Sequence, residues 1–200
     1  MNFGKLSDNT ELITKAAHLI YNTDIGLFRF LFGKRKKAIP PIEKLIKTTY
    51  TSFSKNYIYI AKNDNDLLGL ILGYKGNEIN KKSENKEFYD TVGFLLSIKI
   101  TLKKIILNHI ITLNPLENDF YISNICVNEK IRGKGIGSFL LQNIYPFAKS
   151  KGCNRIVLDV SAENTKAISF YEKTGFKKIR ENKVWFLPLN LKTFTMTYQL

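Results

Sequence analysis

Residues 120–138 read FYISNICVNEKIRGKGIGS, an apolar strand-like run, a short polar turn and a glycine-rich loop that opens onto a helical pattern. Arg132, Gly133, Lys134, Gly135, Ile136 and Gly137 thus lie between a strand and a helix. Backbone N–H groups are unpaired there, and the helix dipole favours an anion. Glycines let the backbone approach a ligand closely, Arg132 and Lys134 add positive charge, and Ser138 offers a hydroxyl in the first turn. A diphosphate is a sensible occupant. Taken alone, the loop is equally compatible with a tight turn that needs glycine only for its geometry. The spacing lacks the third glycine of a dinucleotide fingerprint, and no GxxxxGK followed by Ser or Thr occurs.

Downstream the pattern predicts a helix over Ser138 to Ser150, a strand over Arg155 to Val160 and a helix over Asn164 to Thr174. The two strands are then parallel and joined by a helix. Val184 to Leu187 and Thr193 to Leu200 read as a closing antiparallel hairpin with Pro188 and Asn190 between. Upstream, Thr10 or Asn9 caps a helix running to about Tyr21, with Leu12, Ala16, Leu19 and Ile20 on its apolar stripe. Tyr21 to Gly33 and the basic run Lys34 to Lys37 read as loop, and a further helix starts at Pro41. Tyr57 to Ile60 and Leu67 to Tyr74 form a hairpin around the turn-formers Asn63 to Asp66. After a polar segment, one long helix between Glu87 and Leu113 places Leu95, Ile98, Leu102, Ile105 and His109 on one face, with Lys99, Lys103 and Lys104 elsewhere.

The chain has 200 residues, 44% of them hydrophobic, enough for one domain over 1–200; no linker or repeat divides it. The formal charge of +14 suits an anionic partner: nucleic acid, a membrane surface, an acidic substrate or a phosphate-rich cofactor. Richness in Lys, Asn and Ile leaves a purely compositional origin open. Cys126 and Cys153 are far apart and lack metal-ligand spacing, so neither a metal site nor a disulfide framework is expected. Met1 to Thr10 has no secretory pattern, which argues for a cytoplasmic location. Lys99, Lys103, Lys104, Asn108 and His109 interrupt the longest apolar stretch, so no membrane-spanning helix, and no membrane partner, is expected. His18 and His109 stand alone and carry no assigned role.

These residues resemble the GNAT (GCN5-related N-acetyltransferase) superfamily. Arg132, Gly135 and Gly137 fit its cofactor motif, and Asn164, Ala167, Phe170, Tyr171, Gly175 and Phe176 match its second signature in the expected order. The match is strong over the last two fifths of the chain. It implies an α/β (α+β) GNAT fold, a mixed sheet of about six to seven strands flanked by helices, with residues 76–116 a helical insertion between strands 3 and 4. It also implies acetyl-CoA, or coenzyme A, as cofactor, its pantetheine lying between splayed fourth and fifth strands. By that resemblance the backbone of Ile125, Cys126 and Val127 pairs with the pantetheine, Val127 N–H is an oxyanion donor, and the loop Arg132 to Ser138 takes the pyrophosphate. Asn164, Ala167, Phe170 and Tyr171 close the other side.

The reaction implied is transfer of an acetyl group to a primary amine by direct attack in a ternary complex. Tyr171 matches the tyrosine that protonates the departing sulfur; read without the family, it packs on a helix face. Asp159 occupies the position of a carboxylate base, twelve residues before Tyr171. Ser123 and Asn124 stand where some relatives place a glutamate, leaving deprotonation open, and Asn124 is a candidate for contacting the acceptor. Asp24, with Tyr21 and Asn22, falls where the family builds its acceptor pocket; the alternative is a helix-terminating turn. The partner is an amine-bearing small molecule or protein, with nucleic acid disfavoured, and the 87–113 helix either shapes the acceptor cleft or forms a homodimer contact. A catalytically silent GNAT-fold module that binds coenzyme A or nucleic acid is the second reading.

Overall fold

The computed structural model describes residues 1–64, 66–108, 115–186 and 189–200, the side chains of 104–108, 184–186 and 189–191 excepted. A short strand not expected from the sequence, β1 (Asn2–Lys5), pairs antiparallel with β2 (Ile58–Asn63), which turns into β3 (Asp66–Lys75) as the hairpin pattern implied. β4 (Asp119–Val127) and β5 (Arg155–Ser161) are parallel, and β6 (Lys177–Phe186) and β7 (Leu189–Gln199) form the closing hairpin. Together they make one seven-stranded mixed sheet in the order β1-β2-β3-β4-β5-β7-β6. The expected fold class is the observed one. Residues 187 and 188, the tip expected for the last hairpin, lie outside the described residues.

Helix α1 (Thr10–Thr23) starts where Asn9 Oδ1 accepts from Leu12 N–H at 3.0 Å, and buries Leu12, Ile13, Ala16, Leu19 and Ile20. The segment read as loop is instead α2 (Ile25–Phe32). Asp24 caps it, and Phe28 and Phe32, one turn apart, meet the edge of Phe53 at 6.3 and 6.4 Å. Nearly continuous apolarity over eight residues hides the helical period. The basic run is likewise helical: α3 (Arg35–Ile46) begins before Pro40 and Pro41, which sit inside it. Burial of Ala38, Ile39, Ile42, Leu45 and Ile46 outweighs the hydrogen bonds those prolines cannot make.

Between β3 and β4 the expected single helix is two, α4 (Lys81–Val92) and α5 (Phe94–Asn108), separated by Gly93 at φ +82°. The turn needs a left-handed residue, which glycine takes without strain. Leu95, Ile98 and Leu102 do share a face, but it is the exposed one; Ser97 and Ile100 are buried instead, with Leu96 against the core. Residues 109–113 of the expected helix, His109 included, lie outside the described residues. Helix α6 (Ile136–Ser150) and helix α7 (Thr165–Lys173) follow the glycine loop and β5. One core lies between α1–α3 and the sheet, and a second between α6–α7 and the opposite face. Among the described residues no helix is long and apolar enough to cross a membrane.

Candidate active site

The site originates in an irregularity of β4. Leu72 of β3 pairs with Asn124 but Gly73 pairs with Ile122, so Ser123 is an extra residue. A bulge of this kind bends the strand and exchanges its two faces. Phe120 and Ile122 point into the α6–α7 core, whereas beyond Ser123 it is Cys126 that joins the α1–α3 core. The parallel ladder between β4 and β5 stops at the same place, its last pair being Ile122 with Leu158. From there β5 continues only with β7, and β4 only with β3. The two strands have separated.

The opened edge of β4 presents hydrogen-bonding groups. Asn128 N–H donates to Leu68 O at 2.9 Å, so by strand alternation Cys126 also turns its backbone groups to β3. Ile125 and Val127 turn theirs to the gap, and Val127 O accepts from Arg132 Nε there at 3.4 Å. Of the three residues expected to offer backbone to the gap, Cys126 is instead paired with Leu70 of β3.

A cleft of about 680 Å³ occupies the gap. One wall is Ile125, Cys126 and Val127; its floor is the loop from Arg132 through Gly133, Gly135, Ile136, Gly137 and Ser138; its far wall is Asn164, Lys166, Ala167, Phe170 and Tyr171. Gly133 and Gly135 have φ of +81° and +77°, which only glycine adopts readily. Helix α6 has no side-chain cap, and its first closing bond runs from Phe139 N–H to Gly135 O at 2.9 Å, so the N–H groups before it are free for an anion. Gly137 serves packing, since a Cβ there would lie 3.0 Å from the Phe170 ring. Lys134 is exposed and does not line the cleft, so the loop's nearer cation is Arg132.

Asn164 spends its Oδ1 on capping α7 through Ala167 N–H, at 3.2 Å, and lines the cleft. Tyr171 lies between Phe170 and Phe176, ring centroids 5.4 and 5.5 Å away. Burial, reinforced by the neighbouring Cys126, pushes its phenol above the ordinary tyrosine range, so it keeps its proton at neutral pH. Burial also pushes the Cys126 thiol up to about 11, against the pull of Arg132.

The remaining expected residues lie elsewhere. Asp24 is exposed and outside the cleft lining; its Oδ1 accepts from Leu27 N–H at 2.8 Å, the helix-boundary role given as its alternative. Asn124 Nδ2 donates to Thr23 Oγ1 at 2.7 Å, which ties β4 to the end of α1. Asp159 is outside the lining too: Oδ1 accepts from Thr195 Oγ1 at 2.6 Å, and Oδ2 is buried with no partner. Burial raises its pKa, partly offset by Thr195 and Arg180. Asn22, named beside Asp24 at the expected acceptor pocket, does line the cleft, and so do Thr23 and Lys166, which were not selected as site residues. Lys166 was findable as a cation in the first turn of α7, two residues after Asn164; Asn22 and Thr23 are brought in only by the packing of α1 on β4.

The profile of the acetyltransferase (GNAT) family matches residues 28–176. The uncharacterized N-acetyltransferase YobR of Bacillus subtilis (strain 168) is 43% identical over 61 residues, 30% of this chain and 25% of that protein. An N-acetyltransferase structure from Staphylococcus aureus Mu50 superposes with a TM-score of 0.70 at 18% identity, over 99% of this chain and 100% of the other. A GNAT family acetyltransferase from Elizabethkingia anophelis, with acetyl-CoA bound, superposes with a TM-score of 0.55 at 17% identity, over 100% and 97% of the two chains. With the family profile spanning most of the chain and the separated strands, glycine loop and Tyr171 sharing one cleft, the chain belongs to the acetyltransferase (GNAT) family.

Proposed function

We propose that the chain is an acetyl-CoA-dependent N-acetyltransferase that acetylates a primary amine by direct attack in a ternary complex. The carrying observation is the gap between β4 and β5, whose open backbone edge runs down to the uncapped N-terminus of α6. An extended arm with amide groups fits the edge, and a diphosphate fits the helix terminus. The N–H groups of Ile136, Gly137 and Ser138 would hold the diphosphate, with Arg132 and Lys166 adding charge. Acetyl-CoA supplies the thioester. Val127 N–H, turned into the gap, stabilises negative charge on its carbonyl oxygen, a contribution of about 2.7–4 kcal/mol where such donors have been removed. As the amine nitrogen bonds to the carbonyl carbon the carbon–sulfur bond breaks, and Tyr171 gives its proton to the sulfur. The attacking amine loses a proton to water, since the described cleft residues include no carboxylate or histidine.

Calorimetric titration with acetyl-CoA tests the reading, alongside Gly135→Glu/Gly137→Glu, which puts two anions where the diphosphate would lie. Micromolar binding lost in the variant is the expected result; no binding by the parent at millimolar cofactor overturns it. The lack of a cleft carboxylate also favours a second reading, a coenzyme A-binding module without turnover. Release of free thiol from acetyl-CoA in the presence of an amine panel separates the two.

A further inference from the structure

Helix α5 presents its apolar side outward. Phe94 and Leu95 are each 74% exposed, Leu102 60% and Ile98 38%, and at 100° per residue the four fall within one arc of about 100°. Isolated exposed apolar residues are ordinary, but a contiguous stripe on one helix marks a binding surface. Lys99 and Lys103 bound the arc on one side. Lys103 Nζ lies 5.1 Å from the Phe30 ring centroid and donates to the carbonyl oxygen of Phe30, near the end of α2. Two residues further on begins the exposed run Lys34, Arg35, Lys36 and Lys37, and α2 adds exposed Ile25 and Arg29. Asp24 precedes α2, Asp90 lies near the end of α4, and Glu43 of α3 accepts from Thr14 Oγ1. Glu84 and Glu87 of α4 are turned to the backbone of Thr49, Tyr50 and Ser52. The face formed by α5, α2 and the start of α3 is therefore an apolar ridge with a cationic border.

We propose that this face docks on an anionic lipid surface, with Phe94, Leu95, Ile98 and Leu102 entering the headgroup boundary and the border cations meeting lipid phosphates and carboxylates. Three features select that occupant. A second copy of the chain meeting face to face would bring two cationic borders together, at an electrostatic penalty. Nucleic acid would satisfy the cations but leave three aliphatic side chains without a partner. And Phe94 and Leu95, each 74% exposed, protrude from the surface, which a deformable interface accepts without a preformed groove. An amphipathic helix of this kind lies in the interface plane, bound jointly by apolar burial and by attraction to acidic lipids. No spanning segment is needed.

The test is flotation of the full chain with vesicles of phosphatidylcholine alone and of phosphatidylcholine mixed with phosphatidylserine. The expected result is capture by the mixed vesicles, weakened by salt, and an affinity loss of at least about tenfold in Leu95→Glu/Leu102→Glu. Both positions are solvent-exposed, so the variant should keep its circular dichroism, its melting temperature and its acetyl-CoA titration, which separates loss of the face from loss of the fold. A second variant, Lys36→Glu/Lys37→Glu, should lower binding to mixed vesicles. Absence of capture at low salt overturns the proposal. So does capture that the Glu substitutions leave unchanged. A parent dimer that these substitutions convert to monomer, without vesicle binding, assigns the face to a second copy; nucleic-acid binding lost in the variants, without vesicle binding, overturns the lipid assignment in the same way.

Discussion

Tyr171 and Cys126 face the same cleft, and burial raises the pKa of both, with opposite practical consequences. For Tyr171 it holds the proton on the phenol. Tyr171→Phe, which retains the ring packed against Phe170 and Phe176, is expected to lower kcat by about 10²–10⁴ while leaving acetyl-CoA affinity within a few fold. An unchanged kcat would make Tyr171 a packing residue. For Cys126 burial withholds the thiolate: alkylation by iodoacetamide should be slow at neutral pH, accelerate as pH approaches about 11, and slow again when acetyl-CoA is added. Peptide mass spectrometry reads all three. Asp159 carries a different expectation. Its pKa is raised in the folded chain, so its ionised form opposes folding above that folded pKa, and the opposition is relieved as pH falls through it. Asp159→Asn should therefore stabilise the protein in neutral buffer and progressively less in acid. If the variant also loses turnover at unchanged cofactor affinity, Asp159 is a base; if turnover persists, its role is structural.

At the scale of elements, the bulge at Ser123 links sheet and site. It moves β4 out of register just where pairing with β5 ends, and it decides which residues beyond it face the gap. Deleting Ser123 should restore a regular strand in which residues 124–127 keep their partners on β3 and their faces, but which lacks the bend that turns β4 away from β5. Titration is then expected to show no acetyl-CoA binding by a variant that keeps its far-ultraviolet circular dichroism; retained binding would mean that the strands part for another reason. The bulge itself was not legible in the sequence. Ser123 is an unremarkable strand residue, and the shift appears only in its pairing with β3. The glycine loop was legible because the positive φ of Gly133 and Gly135 is a local requirement, whereas the need of Gly137 to clear Phe170 is set by a residue remote in sequence.

For the whole molecule, a formal charge of +14 on 200 residues implies self-repulsion that salt should relieve. The Debye length shrinks from about 30 Å at 0.01 M to about 8 Å at 0.15 M. The melting temperature should rise over that range in a non-binding salt such as sodium chloride. A fall would mean that pairs such as Arg155 with Asp119, 2.6 Å apart and half-sheltered, outweigh the repulsion.

The sequence by itself determined the order of strands and helices from Phe120 to Phe176 and the turn of the glycine loop, because each depends on contacts between near neighbours in the chain; the role expected of Tyr171 rests on the family resemblance. It also determined, through Asn9, where α1 begins. Only the tertiary structure decided that Tyr21 to Lys37 is largely helical, since burial of Phe28, Phe32, Ala38 and Ile39 overrides a weak local pattern and two internal prolines. It likewise withdrew Asp24 and Asp159 from the cleft, into a helix cap and a hydrogen bond with Thr195, and turned the apolar stripe of α5 outward. The physical reason is the same in each case: periodicity shows that residues share a face, but which neighbour that face meets is set by segments remote in sequence.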